Sequence, residues 1–379
     1  MASISRIFRT FFSTSVAKSP AKSFSDDLYK ERNLKRVVHK FKKLSESHLF
    51  RKHANVYGNT VRRLASAKKF NWIEEILEDQ KQYDEISKEG FAVRLISLYG
   101  KSGMFDHASK VFDEMPDRKC PQTVKSFNAL LGACVNAKKF DKVDGFFKDL
   151  PEKLSVKPDI VSYNTAIKAF CEMGSLDSAG SVFDEIEKNG LKPDLITFNT
   201  LLVGFYGNRK FVDGERFWEK MMNASVSPDI RSYNARLVGL VAEKKLTEAV
   251  ELFGELGSKG LKPDEFSYNA IIQGFCNDGD LEQAKDWYAK LVQSDSSPNK
   301  ATFAILIRFA CKTGDLDWAV ELFKQTFREK CLLDPSVMQL VIDGLVKESR
   351  TEEAKKLVGI ANSNKFRCYN LIIPAVEDE

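Results

Sequence analysis

Apolar residues in the middle of the chain recur at i, i+3, i+4 and i+7. Tyr163, Ala166, Ile167 and Phe170 make one such stripe, and Ala179, Val182, Phe183 and Ile186 the next. This spacing gathers apolar side chains on one face of a helix, so it predicts two short amphipathic helices in succession. Between them lies Glu172-Met173-Gly174-Ser175, and the same place downstream holds Gly279 and Gly314. Glycine there predicts a turn that uses positive φ. The whole pattern then returns: "KPDIVSYNTAIKAF" from Lys157 is echoed from Lys192, Ser227 and Lys262, 35 residues apart each time.

A fixed period of this length marks a repeat architecture. Counted from Ile160, units run 160–194, 195–229, 230–264, 265–299 and 300–334 without a gap. Backwards, 124–159 has one extra residue, 89–123 has 35, and a weaker unit fills 54–88; forwards, 335–369 is a degenerate ninth. Pro158, Pro193, Pro228, Pro263 and Pro298 end one unit and lead into the next. Ser162, Thr197, Ser232, Ser267 and Thr302 are the expected N-caps. A small residue recurs at the twentieth position (Ala179, Gly214, Ala249, Ala284, Ala319), which lets helices cross closely. A large aromatic follows four later (Phe183, Trp218, Phe253, Tyr288, Phe323) and reads as core. One hairpin of this size cannot bury its apolar face alone. The expected fold is therefore all-α: a right-handed α-solenoid of about nine stacked helical hairpins, with a concave groove.

Charge changes the picture only at the N-terminus. The net +5 comprises +4 in residues 1–25, +5 in 26–53 and −4 in the remainder. Residues 1–25 are rich in Ser and Arg and free of acids, with Ile4, Ile7, Phe8, Phe11 and Phe12 on one helical face. That composition fits a mitochondrial targeting presequence, a chloroplast one fitting less well. In 26–53, Leu34, Val37, Val38, Phe41 and Leu44 form a stripe, with Lys35, Arg36, Lys40, Lys42 and Lys43 mostly off it. This predicts a basic amphipathic helix that caps the first repeat. Its cations are candidate contacts for an RNA backbone. Residues 370–379 read as an acidic tail ending in Glu377, Asp378 and Glu379.

Several classes of chemistry find no support. No apolar run approaches a membrane span. The seven cysteines include no C-x-x-C, and Cys276 and Cys311, 35 apart, read as one buried repeat position. The four histidines sit in no deaminase pattern. No catalytic residue, metal site or cofactor is expected, nor a small-molecule substrate.

The stretch "PDIVSYNTAIKAFCEMGSLDSAGSVFDEIEKNGLKPD" closely resembles the pentatricopeptide repeat family. Uniform 35-residue units resemble its P subclass, found in short plant organellar proteins. The resemblance implies single-stranded RNA binding, one base per repeat, read by the fifth and last residues. Those pairs are Asn128/Asp159, Asn164/Asp194, Asn199/Asp229, Asn234/Asp264 and Asn269/Asn299. Family rules imply uracil for the first four and cytosine for the last. Val93/Thr123, Ala304/Asp334, Gly58/Lys88 and Gln339/Tyr369 do not match a reading pair. The groove lysine common at position 13 in the family is replaced by Asn136, Glu172, Gly207, Ala242 and Asn277. Two non-enzymatic roles follow from the resemblance. One is a scaffold within a large mitochondrial ribonucleoprotein such as the ribosome, contacting ribosomal RNA and ribosomal proteins. The other is a transcript-specific factor for RNA processing, stability or translation initiation. The acidic array, the few readable pairs and the basic arm favour the scaffold.

Overall fold

The structure, a computed structural model, describes residues 26–363 and 369–374. The expected presequence and the end of the acidic tail lie outside them. Among the described residues every regular element is helical, and two compact units are present, 1–169 and 170–379. The division falls within helix Ile160–Met173.

In the first unit the hairpins pair Ala54–Ser66 with Phe70–Glu78, Glu89–Lys101 with Phe105–Asp113, and Val124–Asn136 with Asp141–Lys153. In the second, after Leu176–Lys188, they begin with Leu195–Gly207 and Phe211–Asn223 and end with Pro335–Lys347 and Thr351–Asn362. Within each unit the hairpins stack in sequence order. Small residues at the helix crossings, Gly214 at position 20 among them, make this possible. A Cβ built on Gly214 would lie 2.4 Å from Tyr206 Cε1, and one on Gly239 2.4 Å from Tyr206 Cδ1. The tyrosine ring fills the space both glycines vacate. In the first unit a Cβ on Gly100 would sit 2.6 Å from the Ala133 Cα, so those two helices nearly touch. The aromatic row is core: Phe112, Phe183, Trp218 and Phe323 are buried, and Phe147, Phe253 and Tyr288 half-buried.

The N-caps differ from expectation. The cap of each first helix is the last residue of the preceding repeat: Asp194, Asp229, Asp264 and Asn299 in the second unit. The serines and threonines stand three residues later and return a hydrogen bond to the cap's own N–H, closing a capping box. The aspartate wins because it lies where the chain is still extended, φ −100° at Asp229, and its carboxylate reaches the exposed first-turn N–H groups.

The turn inside most of the hairpins is a Schellman motif. Lys68 N–H bonds the Ala65 carbonyl at 2.9 Å and Lys69 N–H the Leu64 carbonyl at 2.9 Å. Gly103, Gly174, Gly279 and Gly314 take the left-handed position, with φ of 75° to 81°. At the same place Lys68, Lys138, Arg209 and Lys244 adopt φ of 55° to 59°, which costs an L-residue about 1 kcal/mol relative to glycine.

Helices Leu34–Ser45 and His48–Lys52 cover the first hairpin. Phe41 packs edge-on against Phe50 and Tyr57, with centroids 5.1 and 4.9 Å away. Tyr57 Oη donates to Gln80 Oε1 (2.6 Å), and Gln80 Nε2 donates to Ser45 Oγ (3.1 Å), so the buried polar groups are paired. Arg51 pairs with Glu85 at 3.0 Å and lies over the Tyr83 ring. Burial alone would raise the Glu85 carboxyl, but Arg51 and His48 hold it down to about 2. At the other end Tyr369 is buried against Phe327, and Gln339 exchanges two hydrogen bonds with the backbone of Ile372.

Candidate nucleic-acid interface

The fifth and last residues of a repeat meet in one joint, built on the helix start. In the second unit Asn199 Nδ2 donates to Asp229 Oδ1 at 3.0 Å, and Ser232 Oγ donates to Asn199 Oδ1 at 2.6 Å. Asp229 Oδ1 also accepts the N–H groups of Arg231 and Ser232, both at 3.0 Å. The joint recurs as Asn234, Asp264 and Ser267, and in the first unit as Asn128, Asp159 and Ser162. A further copy substitutes amide for acid: Asn269 Nδ2 donates to Asn299 Oδ1 at 3.2 Å, and Thr302 Oγ1 donates to Asn269 Oδ1. Asn164 is buried in the first unit, and Asp194, in the second, caps its helix through Thr197 N–H at 2.8 Å.

The joint decides what a ligand can meet. In Asn199/Asp229 and Asn234/Asp264 the inner oxygen is saturated. One amide hydrogen and the outer carboxylate oxygen have no hydrogen-bond partner among the described residues. A donor thus sits beside an acceptor, complementary to the carbonyl and N3–H of uracil. In Asn269/Asn299 the outer group is an NH₂, so the joint offers donors only, which suits the N3 and O2 acceptors of cytosine. Burial would raise the Asp229 carboxyl, but Ser232 N–H, Asn199 and the Ser232 hydroxyl hold it below the usual carboxylate range, so it is charged at neutral pH.

A second row escaped sequence reasoning. Three residues before Asn164, Asn199, Asn234 and Asn269, hence on the same helix face, stand Val161, Ile196, Arg231 and Phe266, all exposed. Ile196 is 62% and Phe266 59% exposed, unusual for large apolar side chains. The Phe266 ring and the Arg231 guanidinium there suit stacking against bases, and Val161 and Ile196 suit apolar contact with them. The available signal was an apolar residue at i−3 from the asparagine, off the core stripe.

The five position-13 residues are exposed and carry no positive charge. On the basic helix, Lys40 pairs with Glu31 at 3.3 Å, and Lys42 with Glu75 at 3.3 Å and Asp79 at 3.7 Å. Lys35, Arg36 and Lys43 face solvent. Burial pushes the thiols of Cys134, Cys171 and Cys276 up to about 12, which suits packing and not nucleophilic attack. Among the described residues no cluster of His, Cys, Asp or Glu is placed to hold a metal, and no helix is long and apolar enough to cross a membrane.

Family models agree with this architecture. The model described as PPR repeat family matches residues 158–207, 228–277 and 265–312. That described as PPR repeat matches 94–120, 125–153, 196–226 and 301–331. Together they span more than half of the chain. Small ribosomal subunit protein mS79 (rPPR3b) of Arabidopsis thaliana is 54% identical over 183 residues, 48% of this chain and 46% of that protein. Small ribosomal subunit protein mS78 (rPPR3a) of the same plant is 58% identical over 174 residues, 46% of this chain and 44% of that protein. The matched stretch thus spans about half the length of each relative. Among solved structures, pentatricopeptide repeat protein PPR10 in complex with an 18-nt psaJ RNA element has a TM-score of 0.51 at 17% identity. The likeness covers 89% of this chain and 60% of that one, and speaks for the fold. Repeats, joints and family models converge: the chain belongs to the pentatricopeptide repeat family.

Proposed function

We propose that this protein is a non-catalytic RNA-binding component of the small subunit of the mitochondrial ribosome, where it serves as a scaffold. The observation that carries the reading is the 54% and 58% identity to two small ribosomal subunit proteins. The acid-free Arg/Ser start supports mitochondrial import. The electrostatics agree: residues 54–379 are net −4 and position 13 lacks lysine, so the groove attracts free single strands weakly. An assembled particle supplies the missing affinity through additional contacts.

The joints favour a second reading, a transcript-specific reader of a 5′-UUUUC-like run. Affinities for matched and mismatched 12-mers, titrated with salt, separate the two. Because helix Leu34–Ser45 packs on the first repeat, its role is best tested with Lys35, Arg36 and Lys43 changed to Ser rather than by deletion. The scaffold reading expects less than about threefold preference for the matched run, and a shallower salt dependence in the triple variant. Tight, sequence-selective binding that survives the triple change would overturn it.

A further inference from the structure

We propose that the edge formed by the intra-repeat turns of the first unit binds the phosphate backbone of double-helical RNA, separately from the base-reading joints. Three consecutive turns, residues 66–69, 101–104 and 136–139, hold Lys68, Lys69, Lys101, Lys138 and Lys139 and no acid. All five are exposed. None makes an ion pair among the described residues, Lys69 lying instead over the Trp72 ring at 5.4 Å. This stands out in an array that is net −4.

Packing joins the turns into one surface. The near-contact of Gly100 with Ala133 comes at the ends of their helices, next to Lys101 and Lys138. Lys142 Nζ reaches across to the Phe105 ring at 5.4 Å, tying the following helices together just past the same turns. At the other end a groove lined by Lys35, His39, Lys43 and Trp72, and also by the acids Glu46, Glu75 and Asp79, runs from the basic helix to the ring over which Lys69 lies. Of the acids nearby, Asp106 and Asp141 sit in the first turns of the second helices, where they complement the helix dipole, and Glu75 and Asp79 pair with Lys42.

Lys68 and Lys138 occupy the left-handed Schellman position, φ 55° and 56°, that Gly103 fills in the repeat between them.

The occupant follows from charge and placement. The surface offers ammonium groups without side chains arranged to read base edges, which matches phosphate and not sequence. The turns lie about 15 Å along each first helix from the fifth position, held by Gly58, Val93 and Asn128, ten residues at about 1.5 Å each. A strand on the joints therefore does not cover them. Two rows of cations, turn lysines and helix lysines, suit the two phosphate strands of a duplex. The partner class rests on the RNA-binding reading above, but duplex affinity is measured without ribosomes, so either can fail alone.

The test uses the full chain, fluorescence anisotropy with a 20-bp RNA duplex of arbitrary sequence and a single-stranded U12, and 50–200 mM KCl. One variant combines Lys68→Gly, Lys69→Ser, Lys138→Gly and Lys139→Ser. The two glycines relieve the left-handed positions, so melting should not fall. A second variant, Lys101→Ser with Lys139→Ser, avoids those positions altogether. Each lost contact is worth about 0.9 in salt slope, or about eightfold at 0.1 M salt. The four-site variant should lose about 3.6 in slope and well over about a hundredfold in duplex affinity if all four contacts are made, the two-site variant about 1.8 in slope, and U12 binding should change less than about twofold. Lys188→Ser with Lys192→Ser serves as the control and should match wild type. Unchanged duplex affinity in both variants, an equal loss on U12, or an equal loss in the control would overturn the proposal.

Discussion

Asp229 is asked to do two things, and two substitutions separate them. Its Oδ1 accepts from Arg231 N, Ser232 N and Asn199 Nδ2, all at 3.0 Å, while its Oδ2 faces outward. Asp229→Ala removes the cap of helix Ile230–Ala242, worth about 1 kcal/mol, and leaves a half-buried amide hydrogen of Asn199 unpaired, about 1 kcal/mol more. The expected loss is thus about 2 kcal/mol. Asp229→Asn keeps the inner oxygen and every one of these bonds, so it should cost less than about 0.5 kcal/mol. It replaces the outer acceptor by an NH₂, reproducing the Asn269/Asn299 joint. The preferred base at that repeat should then move from uracil toward cytosine, by about 1–3 kcal/mol if the contact is made in full. Urea midpoints and amide exchange along 230–242 measure the first effect, and low-salt anisotropy with RNAs differing at one base the second. If Asp229→Asn is as destabilising as Asp229→Ala, or Asp229→Ala costs nothing, the joint does not carry the helix start as argued.

Trp218→Ala should cost about 3–5 kcal/mol, because the indole is buried against Tyr233 at 5.1 Å and under the Arg236 guanidinium; a loss below about 1 kcal/mol in the urea melt would remove the aromatic row from the core. Gly239→Ala should destabilise by about 1–3 kcal/mol, since its Cβ would meet the Tyr206 ring at 2.4 Å; a thermal melt unchanged within error would mean the ring moves freely. Glu85 links the N-terminal helices to the first hairpin with a carboxyl held at about 2. A lowered folded pKa gives stability that is present above the unfolded value, about 4.3, and is lost as pH falls toward 2. Amide protection factors in 34–52, taken relative to the intrinsic rate at each pH, should therefore fall over that window in wild type, and Glu85→Gln should flatten the dependence.

The fold was largely legible because a solenoid writes its contacts locally. The 35-residue period, the i, i+3, i+4, i+7 stripes and the glycine turns each report a neighbour within one hairpin or the next. What stayed hidden depends on geometry between repeats. Serine and aspartate three residues apart are both good caps by type; only the extended backbone at Asp229 assigns the cap to it. Lys40 and Lys42 look like free cations until Glu31, Glu75 and Asp79 fold beside them. Gln339 reads as a fifth-position residue, yet Ile372 returns from beyond the expected end of the array to take its amide. The candidate base-reading role of the fifth and last residues was suggested only by family resemblance, and their donor and acceptor pattern emerged only once the inner oxygen was seen to be occupied.

The central claim, a structural place in a ribosomal subunit, is tested most directly by sedimentation of the endogenous protein from purified mitochondria. Lysate is run on sucrose gradients with magnesium retained, then with EDTA to part the subunits, and the protein is followed by antibody beside small- and large-subunit rRNA. The account predicts that it travels with the small-subunit rRNA in both gradients, in near-stoichiometric amount. Recovery in light fractions, or association that RNase-free washing at moderate salt removes entirely, would contradict it.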